Sequence, residues 1–287
     1  MSKAVNPKSI KAPTIGLMYF SPTGSTRKVC EAIATAISSN PPVRFDLTKP
    51  SNLAERQIEK ADLWIVGAPV YESRLARLAR ERLKEALSAN PMAETPSIAI
   101  VVCGNVHTGI ALSQLVGILD EKNLKVIGAG EFIGEHNLLP RIVGYSYGKG
   151  RPDSADLQMA LEFGNAIQKK GLSGPEINFD EIYSNSEKIP FMFKVAGEGS
   201  AKRFVGQILV DAEKCTKCEE CVAACPVGCL DQETFLKIDK QKNTCIGCMA
   251  CIKACPVGAR TQMAKSQSFA KLLFKPEQIR REPKYYV

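Results

Sequence analysis

The sequence predicts an α/β fold: a doubly wound, five-stranded parallel sheet, followed by a smaller α+β unit. Two observations predict the first part. Strand-like and helix-like segments alternate through the first ~172 residues, and the strands starting at Thr14, Asp62 and Ser97 are nearly continuous in apolar residues. Strands of that kind are covered on both faces, which alternating helices achieve. A third observation predicts the second part. Nine of the eleven cysteines lie between Cys215 and Cys255, in two runs that align at an offset of 30 residues. A length of 287 residues accommodates both units at about 150 residues per domain.

The elements follow in order. Thr14–Phe20 is a first strand, and Ser25–Ser38 a helix with apolar positions at Val29, Ile33, Ala36 and Ile37. Val43–Leu47 is a second strand, Asp62–Gly67 a third, Ser97–Cys103 a fourth and Lys125–Phe132 a fifth. Helices are expected at Ser73–Ala89 and Thr108–Lys122, and a last one from about Asp153 to Lys170, with Pro152 before it and Gly171 as its stop. One doubly wound arrangement has the strand order 2-1-3-4-5, with a ligand site beyond the carboxyl ends of strands 1 and 3. The expected organisation is residues 1–172 as the α/β domain and 173–205 as a Gly/Ser/Asn/Pro-rich linker lying along the surface. Residues 206–263 form the cysteine-rich domain, and 264–287 a basic tail whose Phe269, Leu272, Leu273 and Phe274 pack onto a neighbour.

No run approaches the ~18 apolar residues of a membrane span. The opening MSKAVNPKSIKAP has no apolar signal region, so a cytoplasmic protein with reduced thiols is expected. Clustered thiols in that setting point to metal rather than disulfides. Each run, CTKCEECVAACPVG and CIGCMACIKACPVG, is C-x2-C-x2-C-x3-C-P, the spacing that holds two iron–sulfur clusters with the fourth cysteine serving the other cluster. One ligand set is then Cys215, Cys218, Cys221 and Cys255; the other is Cys245, Cys248, Cys251 and Cys225. The fourth cysteine is expected to open a helix, with proline at its start. A zinc ribbon uses two C-x2-C pairs per metal and would leave the third and fourth cysteines of each run without a role. Cys229 aligns with Ala259 and reads as a small packing residue. Cys30 reads as core, and Cys103 as a buried small residue or a ligand contact at a strand end.

The formal charge of +8 does not make this a nucleic-acid protein. Each oxidised cluster with its thiolates carries about −2, and a bound phosphate roughly another −2. No run of five or six consecutive basic residues occurs.

The first strand runs into Ser21-Pro22-Thr23-Gly24-Ser25-Thr26 and then a helix. Free amides, hydroxyls and the positive end of a helix dipole suit a phosphate. The loop is neither a Walker A loop nor G-x-G-x-x-G. It resembles the T/S-x-T-G-x-T phosphate loop of flavodoxins. With GAPVYESR, CGN, GEFIGEHN and GRPDSADL, followed by the two cluster runs, the chain resembles the flavodoxin–ferredoxin fusion family, and the cysteine segment resembles two-cluster bacterial-type ferredoxins.

The resemblance implies a flavodoxin-like sheet and a two-cluster ferredoxin domain carrying FMN and two 4Fe–4S clusters. Ser21, Thr23, Gly24, Ser25 and Thr26 would hold the phosphate, and Ala68, Pro69, Val70 and Tyr71 would border the isoalloxazine ring on one side. Cys103, Gly104, Asn105 and His107 would border it on the other. Val106, His107 and Thr108 stand where the family pattern places an arginine and then a tyrosine. The expected activity is electron transfer to or from a redox partner, in anaerobic metabolism, with no residue needed as general acid or base. An FMN-dependent reductase fed by its own clusters, with Asn137–Gly150 over its pocket, is the alternative. A ferredoxin carrying an empty docking domain is a third.

Overall fold

The computed structural model describes residues 12–49, 53, 55–199, 208–231, 245–262, 271 and 279–287. The N-terminal elements are β1 (Ile15–Tyr19), α1 (Ser25–Ile37), β2 (Val43–Asp46), β3 (Leu63–Tyr71), β4 (Arg74–Leu75) and α2 (Arg77–Ala89). They continue with β5 (Pro96–Cys103), α3 (Ala111–Glu121), β6 (Lys125–Ile133), α4 (Leu139–Val143) and α5 (Ser154–Lys170). Then come α6 (Phe179–Asn185), α7 (Phe191–Ala196), β7 (Ile208–Val210), α8 (Glu220–Ala223), α9 (Ala250–Lys253), β8 (Arg260–Gln262) and β9 (Lys284–Tyr286).

The main sheet has the order β2-β1-β3-β5-β6-β9. Its first five strands are parallel, in the expected 2-1-3-4-5 order once the two-residue β4 is set aside. Each continuous apolar strand divides its side chains between two cores. Ile15, Leu17, Leu63, Ile65, Ile98 and Ile100 enter the layer under α1 and α5. Met18, Phe20, Trp64, Val66, Ala99 and Val101 enter the other, under α2 and α3. Each such buried side chain contributes about 1.5–3 kcal/mol. Gly67 is dictated by packing: a Cβ there would lie 2.5 Å from Cys30 Sγ, so Cys30 is the core residue expected of it.

Three elements differ from expectation. β3 runs on through Tyr71 and folds back as a hairpin onto β4, with Glu72 and Ser73 both at positive φ, so α2 begins at Arg77 rather than Ser73. The turn needs two left-handed residues, and a Glu-Ser pair does not advertise it. The segment after α5 holds two short helices and sends Ile177 and Ile182 into the α3-side core. The C-terminal β9 pairs antiparallel with β6, making the tail part of the sheet. Phe269, Leu272, Leu273 and Phe274 lie outside the described residues.

In the cysteine-rich unit β7 pairs antiparallel with β8. The 30-residue repeat is written into the backbone. Positive φ recurs at Lys217 and Gly247, at Glu219 and Met249, and at Gly228 and Gly258. The fourth cysteines do not open helices. Cys225 follows α8 and Cys255 follows α9, with Pro226 and Pro256 in the turns beyond. Proline is common just past a helix end because it cannot continue the helix.

Candidate functional site

Two cavities open in the cysteine-rich unit. One is lined by Cys215, Cys218, Cys221 and Cys255. The other is lined by Cys225, Cys245, Cys248 and Cys251. These are the two crossed sets expected from the run spacing. Among the described residues no three His, Cys, Asp or Glu side chains converge as a single ion requires; the thiols ring a space instead. The chemistry of the donors suits an iron–sulfur cube, whose ligands attach at separate corners.

Backbone amides back the crossing ligands. The N–H of Ala259 donates to Cys255 Sγ at 3.2 Å, and that of Cys229 to Cys225 Sγ at 3.4 Å. The repeat breaks its symmetry at one point. Cys229 is buried, lines the second cavity and puts its Sγ 3.6 Å from Cys225 Sγ. The contact between the two thiols pulls Cys225 down and pushes Cys229 up. Cys229 is a buried packing residue, as expected, and it also touches a sulfur of the second cysteine set.

The second candidate site lies at the carboxyl ends of β1, β3 and β5. Gly24, at φ 87°, caps α1 with no side-chain acceptor, and a Cβ there would meet open space. Among the described residues the amides of Thr23, Ser25 and Thr26 have no hydrogen-bond acceptor, which is the donor set a phosphate needs. The hydroxyls are partly committed: Ser21 Oγ accepts from the Arg27 N–H at 3.1 Å and Thr23 Oγ1 from Asn137 Nδ2 at 3.2 Å. Thr26 is buried against β3 at Gly67.

Ala68, Pro69, Val70 and Tyr71 form the end of β3, beside the loop. Tyr71 is half-buried, and its phenol is held well above its usual range, first by burial and then by the nearby Cys248 thiol. Cys103 closes β5, its thiol pushed up to about 11 by burial. Gly104 is overlaid by the ring of His136, which would leave a Cβ only 2.7 Å away. Burial lowers His136 to about 4, and its Nδ1 accepts from the N–H groups of Leu138 and Leu139, so the ring is neutral.

Two expected flavin neighbours turn elsewhere. The Asn105 side chain is buried against Arg151 and the C-terminal segment: Oδ1 accepts from Arg151 Nη1 at 2.9 Å, and Nδ2 donates to the Ile279 carbonyl at 3.2 Å. His107 stands 3.3 Å from Glu187 and 3.4 Å from Arg281 in a half-exposed ion cluster. Arg151, Glu187 and Arg281 carry no sequence signal as neighbours of this edge beyond the place of Arg151 in the GRPDSADL string, whereas Asn137 opens the stretch expected over the pocket.

The cysteine unit rests on this edge of the sheet. Arg82 of α2 donates from Nη2 to the Pro226 carbonyl at 2.7 Å and from Nη1 to the carbonyls of Leu47 and Thr48. Ile246, between two cysteines of the second run, packs on the α3-side core. Leu138, beside the phosphate-loop partner Asn137, packs on the core of the cysteine unit.

Comparison with known families agrees with both halves. A flavodoxin domain matches residues 17–109, and a 4Fe-4S dicluster domain matches residues 214–259. Among solved structures the chain is similar to a flavodoxin from the domain Archaea, 19% identical, covering 55% of this chain and 97% of that one at a TM-score of 0.38. Bacillus cereus flavodoxin 1 is 18% identical, covering 53% and 94% at 0.38, and flavodoxin 2 is 14% identical, covering 55% and 99% at 0.41. No curated protein matches the chain. The flavodoxin domain implies FMN and the dicluster domain implies 4Fe–4S clusters, so the role is redox electron transfer. One chain thus carries a flavodoxin domain followed by a 4Fe-4S dicluster domain.

Proposed function

We propose that this chain is an electron carrier that binds one FMN and two 4Fe–4S clusters and exchanges electrons with a redox partner protein. The observation that carries the reading is the pair of cysteine-ringed cavities, one of which includes Ile246, packed on the same core as Tyr71. When bound, FMN exchanges one or two electrons and each cluster one; joining them in one chain makes their exchange intramolecular.

The residues hold and tune these groups. Cys215, Cys218, Cys221 and Cys255 form one ligand set, and Cys225, Cys245, Cys248 and Cys251 the other. The amides of Thr23, Ser25 and Thr26 hold the phosphate, with Gly24 allowing close approach and Ser21 bracing the loop. Ala68–Tyr71 and Cys103–Gly104 border the ring. The amides at Ala259 and Cys229 stabilise ligand charge and so set potentials. Residues 1–172 and 206–263 act as the two cofactor domains, with 173–205 as the linker and 264–287 as a basic C-terminal tail, in the cytoplasm. No helix among the described residues is long and apolar enough to cross a membrane.

The test is anaerobic purification with iron, sulfide and flavin quantified. Near 8 iron atoms and 1 FMN per chain is expected; about half that iron, or no flavin, sinks the reading. Turnover of a small molecule by chemically reduced protein without a partner would instead favour a self-contained FMN-dependent reductase.

A further inference from the structure

The two ligand sets sit in unequal surroundings. In the first run Thr216, Lys217, Cys218, Glu219 and Glu220 are all exposed. In the second, Met249, Ala250 and Cys251 are buried, and Ile246 and Cys248 are partly covered. The cover comes from the flavodoxin domain. Ile246 packs on its core, Leu138 packs on the core that holds Cys225, Cys245 and Cys251, and Arg82 holds the Pro226 carbonyl next to Cys225. Every one of these contacts falls on the residues that line the second cavity, or on residues touching them. The first cavity is rimmed by Thr216, Lys217, Glu219 and Val257, on the side where the chain meets solvent.

Resting on the two-cluster reading, we infer that the ligand sets have different duties. Cys225, Cys245, Cys248 and Cys251 hold the flavin-side centre, and Cys215, Cys218, Cys221 and Cys255 hold the partner-side centre. The partner, a protein with a one-electron centre close to its own surface, docks on the rim formed by Thr216–Glu220 and Pro256–Gly258. Electron exchange falls steeply with separation, so a partner must approach closely, and among the described residues the first run is the more exposed of the two. Around that rim Lys214 and Lys217 alternate with Glu213, Glu219 and Glu220. Such interspersed charge gives orientation without a strong long-range field. The 30-residue repeat makes the two sets equivalent by sequence; docking on the flavodoxin domain makes them unequal.

The holoprotein tests this directly. Iron, sulfide and flavin are measured first, so that failure of the two-cluster reading shows before the labelling begins. The protein is then treated with limiting ferricyanide and EDTA until about half the iron is lost, alkylated with iodoacetamide and mapped by mass spectrometry. Alkylation of Cys215, Cys218, Cys221 and Cys255 is expected to exceed that of Cys225, Cys245, Cys248 and Cys251 at least about fivefold. Equal labelling, or the reverse order, overturns the assignment. The docking rim has its own arm, with cytochrome c as the probe oxidant of the reduced holoprotein. Thr216→Trp is expected to slow single-turnover oxidation at least about threefold with iron content unchanged. Lys169→Trp, at the end of α5 on the opposite edge of the sheet, is expected to leave the rate unaltered. An unchanged rate in the Thr216 variant overturns the docking surface.

Discussion

The backbone N–H of Arg281 donates to Asn105 Oδ1 at 3.1 Å, tying the C-terminal segment to the loop after β5. The same segment supplies the Arg281 carbonyl to Arg151 Nη1, the Arg281 guanidinium to Glu187 and a Tyr285 ring stacked on Phe163 at 5.0 Å. Deleting 279–287 is therefore expected to lower the melting temperature by roughly 5–10 °C, from a loss of about 2–3 kcal/mol. Arg281→Ala should cost under about 1 kcal/mol, because its pair with Glu187 is part-exposed and the backbone bonds survive. Differential scanning measurements on both variants check the contrast, and equal effects would mean the side chain, not the strand, holds the tail.

Arg151 and Asp156 form a buried, two-pronged ion pair beneath that loop. Removing either partner strands a buried charge, at a cost of about 3–5 kcal/mol. Arg151→Ala should thus unfold the flavodoxin half at distinctly lower denaturant. The double change Arg151→Met with Asp156→Leu should recover only part of the loss: it removes the stranded charge, but the Arg281 carbonyl and the Asp153 N–H lose their partners.

His136 provides the pH signature. Its folded-state value of about 4 lies below the unfolded value of 6.5, because burial disfavours the charged ring. Between those limits the unfolded chain binds the extra proton, so stability falls as pH drops from about 6.5 to about 4 and is unaffected above that window. An imidazole NMR titration should show a midpoint near 4, and a midpoint near 6.5 would contradict the buried neutral ring. His136→Gln should remove this part of the pH dependence.

Cys225 and Cys229 are separable by experiment. Cys225→Ser should cost a ligand and with it cluster iron. Cys229→Ala should keep iron near the wild-type content while lowering the potential of one centre by about 20–60 mV, the equivalent of one hydrogen bond of about 0.5–1.5 kcal/mol on a one-electron couple. Loss of iron in the Cys229 variant would show that it ligates.

Gly24 should be the most sensitive position of the phosphate loop. Its φ of 87° costs a side-chain-bearing residue about 1–2 kcal/mol. Gly24→Val should weaken FMN binding roughly tenfold in a fluorescence titration of the apoprotein, with the far-ultraviolet circular dichroism unchanged.

The sheet order and the cysteine partition were legible in the sequence because both are local matters. Continuous apolar strands such as Ile98–Val102 demand cover on two faces, and fixed spacing within C-x2-C-x2-C-x3-C-P dictates which thiols can share a space. The β3–β4 hairpin was not legible, since its turn uses Glu72 and Ser73 where glycine or asparagine would signal it. Nor were the partners of Asn105 and His107, because Arg151, Glu187 and Arg281 are dozens of residues or more distant in the chain.

By itself, then, the sequence determined the two units and the two sets of cysteines that line the hollows, set by periodicity and spacing. Only the tertiary structure decided that β9 completes the sheet, that Cys229 touches Cys225, and that the second cysteine run is more buried than the first. Those outcomes depend on which surfaces meet when distant segments dock. A repeat that is symmetric along the chain carries no record of which half will be buried.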